Sequence, residues 1–271
     1  MRRAARRLYR RKRRIRLICG MVLAAAIGVA VLWRAPAFHV EGLMGVSATP
    51  EAAPDRLVTT MELHLPAVTW YTIQTGVFST EGAARDKADD YTDRGAPGTV
   101  VSSSGKWRVF IAAYGREEDA SAVRQRLGEM QRVETYLYAW ECPEVHLRLT
   151  GPGAQLDTAS AGMTLLQGAA EVMRDTAMLL DASQVTIQDA LAELSELDGQ
   201  LALWTRTARN AFGSQVPEMV KLMLTMAEHC SEKIAVLKGV EDPAALSSAL
   251  KGCGMEQYDR MVSLRTSLLS Q

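Results

Sequence analysis

The sequence predicts an α+β protein with three structured parts: a membrane helix, a small βαββαβ domain and an all-α helical bundle. Three observations lead to this order. An uncharged apolar run follows a block of arginines, strand-like alternation occurs twice in the middle of the chain, and helical spacing of apolar residues fills the remainder. The predicted parts are a basic tail (1–16), a membrane helix (17–33), a linker (34–68), the βαββαβ domain (69–141), a second linker (142–153) and the bundle (154–271).

The formal net charge is zero, but the charge is distributed very unevenly along the chain because of a basic N-terminal tail. Ten of the 31 basic residues lie within MRRAARRLYRRKRRIR, and the first acidic residue is Glu41. After Arg16 the chain has 21 basic and 31 acidic residues, so most of the protein is acidic. So short a basic arm before an apolar run indicates a topology signal rather than a nucleic-acid-binding tail.

The apolar run LICGMVLAAAIGVAVLW, residues 17–33, contains no charged side chain. As a helix it would rise about 25 Å, and flanking arginines and Trp33 could reach the bilayer interfaces. A cleaved signal peptide is the alternative, because Ala35-Pro36-Ala37 resembles a cleavage site. We favour a membrane anchor because the run is longer than the roughly 7–15 apolar residues of a signal peptide.

The charge asymmetry also predicts the orientation in the membrane. Arginines before the apolar run and an acidic remainder place the N-terminus in the cytoplasm and the domains outside. We therefore predict a single-pass protein of the cell membrane. Residues 34–68 show little periodicity and contain four of the nine prolines, which predicts an irregular extracellular linker.

The middle of the chain repeats one strand-and-helix pattern. TWYTIQTGVFS alternates with period two, and STEGAARDKADDY follows with an N-cap at Ser79 or Thr80 and a helical stripe. KWRVFIAAYG and EEDASAVRQRL repeat the pattern, while TVVSSSG and VETYLYAWE supply two more strands. The predicted order is βαββαβ with both helices on one face of the sheet, which leaves the other face free to bind a ligand.

These residues resemble the SPOR (sporulation-related repeat) domain over residues 69–141. The resemblance rests on YTIQTGVFS followed by a helix, and on WRVFIAAYG with an aromatic residue and a glycine at its end. It implies a ferredoxin-like fold and non-catalytic binding of septal peptidoglycan, preferentially of glycan strands stripped of stem peptides. It also implies ligand contacts by Gln74 in the first strand and Trp107 in the third. The sequence departs from the family at Ala112-Ala113, where Gly-Pro is usual, and at Phe110, where a polar residue is common.

The predicted glycan-binding residues are Thr72, Gln74, Trp107, Arg108 and Phe110. A glycan without peptides offers hydroxyl groups, acetamido groups and apolar sugar faces. An amide such as that of Gln74 can donate and accept hydrogen bonds, and an aromatic ring can support a sugar face. Strict alternation would place Trp107 on the helix side of the sheet, so its predicted role depends on the resemblance alone.

The last strand of the domain carries three aromatic residues on one face, Tyr136, Tyr138 and Trp140. The alternation agrees equally with ligand contact and with packing against the rest of the protein.

The bundle is predicted from alanine, leucine and methionine at helical spacing. The first seam contains Leu156, Ala159, Met163, Leu166, Ala170, Met173, Ala177 and Leu180. Further helices are predicted from Ile187, after Pro217, from Pro243 and from Met255. The unbroken seam predicts a bundle that folds independently, and it leaves self-association or a protein partner open.

The sequence shows no pattern typical of a catalytic, metal or cofactor site. Zinc amidases need histidines with Glu or Asp, and glycosidases need paired carboxylates in a cleft. The histidines are separated along the chain, with His39 and His64 in the first linker, His146 in the second and His229 on a bundle helix. We predict a non-enzymatic protein without metal or cofactor. Cys230 and Cys253 are compatible with either a disulfide or free thiols.

Together these features predict a membrane-anchored protein that binds peptidoglycan glycan strands and is targeted to the division or sporulation septum. The bilayer would hold residues 17–33. The alternative is an adaptor whose helical bundle recruits or regulates cell-wall enzymes. RNA-binding modules share the βαββαβ plan, but the predicted external location argues against a nucleic-acid partner.

Overall fold

The computed structural model describes residues 58–131 and 133–270. The predicted basic tail, the membrane segment and most of the first linker lie outside these residues. No helix within the described ranges is both long and apolar enough to cross a bilayer. The described residues belong to one unit, Arg56–Gln271.

Over these residues the chain forms six strands and six helices. The strands are β1 (Val58–Leu65), β2 (Val68–Phe78), β3 (Thr99–Ser103), β4 (Lys106–Tyr114), β5 (Tyr136–Cys142) and β6 (Val145–Pro152). The helices are α1 (Glu81–Thr92), α2 (Glu117–Gln131), α3 (Gly153–Asp181), α4 (Ile187–Phe212), α5 (Glu218–Leu237) and α6 (Pro243–Leu269). From β2 to β5 the order is βαββαβ, which confirms the predicted plan.

The strands of the βαββαβ region form an antiparallel sheet in the order β3-β4-β2-β5. Both of its helices pack on one face, where Tyr91 of α1 and Ala120 of α2 share a cluster with Ile73 of β2 and Ile111 of β4. Thr80 is the N-cap of α1, and its hydroxyl oxygen accepts a hydrogen bond from the next turn of backbone. The predicted helix-covered face is therefore confirmed.

Two strands of the structure were not predicted. β1 lies in the first linker, which was predicted to be irregular, and β6 lies in the second linker, where no strand was predicted. The prediction of irregular structure is wrong for β1. The two strands pair with each other as a separate antiparallel ribbon rather than joining the four-stranded sheet. One face of the ribbon is apolar, with Leu65 and Val145 buried in the main core. Burial of that face stabilises a pair of strands that would be marginal alone.

The C-terminal region consists of four helices, α3 to α6. The predicted α3 seam is confirmed, because all eight of its residues are buried. α3 packs against α4 and α6, so the seam is satisfied within the chain. At the α3–α4 contact the indole Nε1 of Trp204 donates a hydrogen bond of 2.9 Å to the carbonyl oxygen of Thr158.

The last helix differs from its prediction. Two helices were expected, one from Pro243 and one from Met255, but α6 is continuous through both segments. The glycine-containing stretch between them does not end the helix. A Cβ on Gly254 would lie 3.3 Å from the carbonyl oxygen of Ala170, so this glycine permits a close approach of α6 to α3.

The helical region packs on the second face of the four-stranded sheet. Phe110 and Trp140 from the sheet share one buried cluster with Met163 of α3 and Tyr258 of α6. The expectation that this face would be free is therefore wrong. Large apolar rings on the sheet and apolar seams on the helices bury each other, which removes both from water.

Candidate functional site

The second sheet face carries the polar and aromatic residues that the sequence singled out. Register pairs Thr72 with Tyr138 and Gln74 with Phe110 and Tyr136 across neighbouring strands. The β2–β4 register shifts on either side of Gln74, and Arg108 consequently pairs with Val77. These bulges leave Gln74 and Arg108 in direct contact.

A compact polar group lies at one end of this face. Arg108 Nη1 donates a hydrogen bond of 2.8 Å to Gln74 Oε1. The guanidinium carbon also lies 4.5 Å from the centroid of the Tyr138 ring, within the range of a cation–π contact. Arg108 Nε has no hydrogen-bond partner among the described residues. The amide oxygen of Gln74 is thus already used by Arg108.

The aromatic residues continue from this group across the sheet. Phe110 stacks against Tyr138 at a centroid distance of 5.6 Å and contacts Trp140 at 5.2 Å. Trp140 meets the ring of Tyr258 edge-on at 5.0 Å. Phe110 is 1% exposed and Trp140 is 5% exposed. This covered end of the face is part of the core and presents no ring to solvent.

The predicted site residues divide between three environments. Thr72 and Phe110 are buried, and the Thr72 hydroxyl donates a 3.1 Å hydrogen bond to the Tyr138 carbonyl oxygen. Gln74 is 7% exposed, whereas Arg108 is partly exposed. Trp107 packs with Ala84 and Ala88 of α1, on the opposite face. Strict alternation therefore placed Trp107 correctly, and the structure does not bring it together with the others.

The polar end of the face remains accessible to solvent. Tyr136 is 52% exposed and Val77 is 45% exposed, while Arg108 and Tyr138 are partly exposed. The Tyr136 hydroxyl donates a hydrogen bond to Glu134, and that hydrogen bond raises the pKa of Tyr136. We define the accessible end as Arg108, Tyr136 and Tyr138, together with the buried amide of Gln74 that accepts a hydrogen bond from Arg108. It joins an exposed ring to an amide and a guanidinium.

Sequence reasoning missed the residues that close the other end. Tyr258 of α6 lies against Trp70 of β2, and Arg174 of α3 lies 4.7 Å from the Trp70 ring centroid. The predicted strand alternation placed Trp140 on the same face as Tyr136 and Tyr138 but left open whether that face packs or binds a ligand. Tyr258 and Arg174 lie on helices more than 30 residues away in sequence from Trp70 and Trp140, so no local pattern could have identified these contacts.

Comparison with known protein families identifies the domain that contains the four-stranded sheet. Residues 68–137 match the SPOR domain family, which agrees with the resemblance noted from the sequence. SPOR domains are non-catalytic modules that generally bind peptidoglycan. This chain therefore contains a SPOR domain, followed by a four-helix region that lies outside the match. No curated protein and no solved structure matches the chain.

Proposed function

We propose that this protein is a membrane-anchored peptidoglycan-binding protein that concentrates at the division or sporulation septum. The observation that supports this most strongly is the SPOR domain at residues 68–137. Within that domain, the accessible end of the second sheet face offers the side chains that a neutral glycan needs.

The chemistry of the accessible end suits a sugar chain. Tyr136 presents an exposed ring beside the partly exposed ring of Tyr138, and flat apolar surfaces of this kind can support the C–H faces of sugars. The Arg108 guanidinium has more donors than its bond to Gln74 uses, and sugar hydroxyl or acetamido oxygens can accept from them. Stem peptides would add charge and bulk to the glycan without adding contacts to this small surface. We therefore expect the surface to bind stripped glycan strands better.

The four-helix region limits which predicted residues can touch the glycan. Phe110 and Thr72 are buried, so their proposed role is to hold Tyr138 and β5 in position. Trp107 lies on the α1 side and is not part of the proposed surface. Gln74 acts mainly through Arg108, because its amide oxygen accepts from that guanidinium.

A pelleting assay tests this surface. Full-length protein in detergent would be mixed with sacculi before and after an amidase removes their stem peptides. We expect the double variant Arg108→Ala/Tyr136→Ala to lose about tenfold or more in binding, because it removes several hydrogen bonds and one stacking surface. The same loss should appear with both kinds of sacculi, and the parent should prefer the stripped ones.

Matched variants separate this effect from unfolding. Tyr136→Phe keeps the ring and should retain most of the binding. Arg85→Ala removes an exposed arginine on α1 whose ion pair is with Glu81, and binding should be unchanged. A folded Arg108→Ala/Tyr136→Ala variant that pellets as well as the parent would exclude the accessible end as the glycan-binding surface.

Anchoring by residues 17–33 is the second part of the proposal, supported by the uncharged run and the arginines before it. Protease added to protoplasts should remove the SPOR domain and the helices and leave a short membrane-bound stub. Protected domains would reverse the proposed orientation. A shortened chain released without protease would instead favour the cleaved signal peptide.

Septal targeting can be tested with the same double variant. A fluorescent fusion of the full-length protein should form a band at the septum, and the Arg108→Ala/Tyr136→Ala fusion should spread around the whole membrane. Uniform fluorescence from the parent fusion in dividing and in sporulating cells would contradict the targeting proposal.

A further inference from the structure

Two histidines and a glutamate meet on the outer face of the β1–β6 ribbon. His64 Nε2 lies 2.7 Å from Glu144 Oε1, and His146 Nε2 lies 2.8 Å from the same oxygen. The imidazole rings stack with centroids 4.3 Å apart and planes inclined by 7°. The three donor atoms all lie within 4.8 Å of one another, and all three residues are exposed.

Backbone geometry explains why these residues meet. His64 and His146 are direct partners in the antiparallel β1–β6 register, so their side chains lie side by side on one face. Glu144 precedes β6 by one residue and reaches back over the pair. The opposite face of the ribbon is held against the core through Leu65 and Val145. The cluster therefore stands on strands whose orientation is set by packing and not by the cluster.

The donor atoms match the requirements of zinc. Two imidazole nitrogens and one carboxylate oxygen are a donor set that zinc commonly accepts, at metal–ligand distances of about 2.0–2.2 Å. Around a tetrahedral ion such ligands stand roughly 3.3 Å apart. A shift of about half an ångström would bring the Glu144 oxygen to that separation from each Nε2. The two imidazole rings are now nearly parallel, so they would also rotate about their side-chain bonds to point both Nε2 atoms at one ion. Magnesium and calcium prefer oxygen ligands and bind imidazole nitrogens poorly, so neither ion is expected at this site.

We propose that His64, Glu144 and His146 form a zinc site that joins β1 to β6. Each histidine supplies Nε2 and the glutamate supplies one carboxylate oxygen, which leaves a fourth position for water or another ligand. The prediction of no metal site treated His64 and His146 as isolated linker residues. The ribbon brings them together although they are 82 positions apart in the sequence.

The zinc site would link the two strands that flank the SPOR domain. β1 precedes the SPOR match and β6 follows it, and β6 leads directly into α3. A metal ion that bridges the two strands would hold the entry and the exit of the domain together. This proposal does not depend on peptidoglycan binding, because no residue of the accessible end takes part in it.

Titration calorimetry with zinc chloride and full-length protein in detergent tests the site. We expect saturable binding of one zinc ion per chain, no binding of magnesium chloride, and a rise of the melting temperature as zinc is added. His64→Gln/His146→Gln should abolish this binding. Glu144→Gln should lower the zinc affinity by at least about tenfold, because it replaces a charged carboxylate ligand with a neutral amide.

The control is His229→Gln, which removes a histidine that lies 3.7 Å from Glu256 on the helical region. Zinc affinity and the zinc-dependent rise in melting temperature should be unchanged in this variant. Circular dichroism verifies that each variant is folded. We expect them to fold because the substituted cluster residues are exposed. Absence of saturable zinc binding by the parent overturns the proposal, and so does equal binding by the His64→Gln/His146→Gln variant.

Discussion

Tyr258 on α6 stacks on Trp70 of β2 with ring centroids 4.2 Å apart and planes inclined by 14°. Its hydroxyl oxygen lies 2.7 Å from the Val68 carbonyl oxygen and 2.8 Å from that of Trp140, so its one proton is shared between carbonyl oxygens of two neighbouring strands. Burial raises the pKa of Tyr258, which keeps the hydroxyl protonated. One side chain of the helical region thus closes the SPOR sheet by stacking and by hydrogen bonding.

Tyr258→Phe should lower the free energy of unfolding by about 1–3 kcal/mol. The ring remains, but buried carbonyl groups lose their donor, and an unsatisfied buried polar group costs this much. Urea denaturation followed by circular dichroism measures the change. Tyr136→Phe is the control, because its hydroxyl is exposed, and it should change stability by no more than about 0.5 kcal/mol. Equal stabilities of the two variants would contradict the closing role of Tyr258.

Two glycines of α3 should respond in opposite ways to the same substitution. A Cβ on Gly162 would lie 2.3 Å from Trp204 Cζ2 and 2.6 Å from Met223 Cε, whereas a Cβ on Gly168 meets no atom within 4 Å. Gly162→Ala should destabilise the protein by about 1–3 kcal/mol through overpacking. Gly168→Ala should stabilise it by up to about 1 kcal/mol through helix propensity. Thermal unfolding of the two variants compares them directly, and stabilisation by both would show that the Trp204 contact is loose.

Asp259 should make stability depend on pH. Burial raises the pKa of Asp259 to about 6 in the folded protein, an effect partly opposed by Arg260. Because the folded pKa lies above the unfolded value of about 3.9, the group favours the folded state fully below pH 4 and loses that contribution as pH rises to 6. Asp259→Asn cannot ionise and should therefore be more stable than the parent at pH 7.5, by about 1–3 kcal/mol. Urea denaturation at pH 4.5 and 7.5 measures this, and an equal difference at both pH values would contradict it.

The three cysteines within the described residues should react slowly with iodoacetamide. Cys142, Cys230 and Cys253 are free thiols. Burial raises the pKa of Cys230 to about 12 and that of Cys253 to about 11, so almost no reactive thiolate exists at neutral pH. Peptide mapping by mass spectrometry should find these residues unlabelled in native protein and labelled in urea. Rapid native labelling, or a disulfide between Cys230 and Cys253, would contradict the prediction.

Local sequence patterns predicted much of the fold. Period-two alternation in β2 and β4, together with the helical stripe that contains Ala84 and Ala88, predicted the βαββαβ order and its covered face. The same reasoning predicted the α3 seam, since helical periodicity depends only on residues within a few turns. It failed for α6, where separate helices were predicted from Pro243 and from Met255 but one continuous helix forms. There Gly254 allows the close contact with α3, and packing against α3 outweighs the low helix propensity of glycine.

The candidate site was predicted only in part. Alternation correctly placed Gln74, Arg108 and Phe110 on one face and Trp107 on the other. It did not predict that Phe110 would be covered, because strand periodicity reports which residues share a face and says nothing of what packs on that face. Tyr136 stayed ambiguous for the same reason, and its exposure became evident only once the position of α6 was known.

By itself, then, the sequence determined the βαββαβ order of the SPOR region and the apolar seam of α3, because short-range periodicity and capping are local properties of the chain. The tertiary structure alone decided two features: the cover of α3 and α6 over the sheet, and the meeting of His64 with His146. Both depend on contacts between segments distant in sequence. The free energy of those contacts comes from burying large apolar surfaces together, and no local pattern specifies which surfaces will meet.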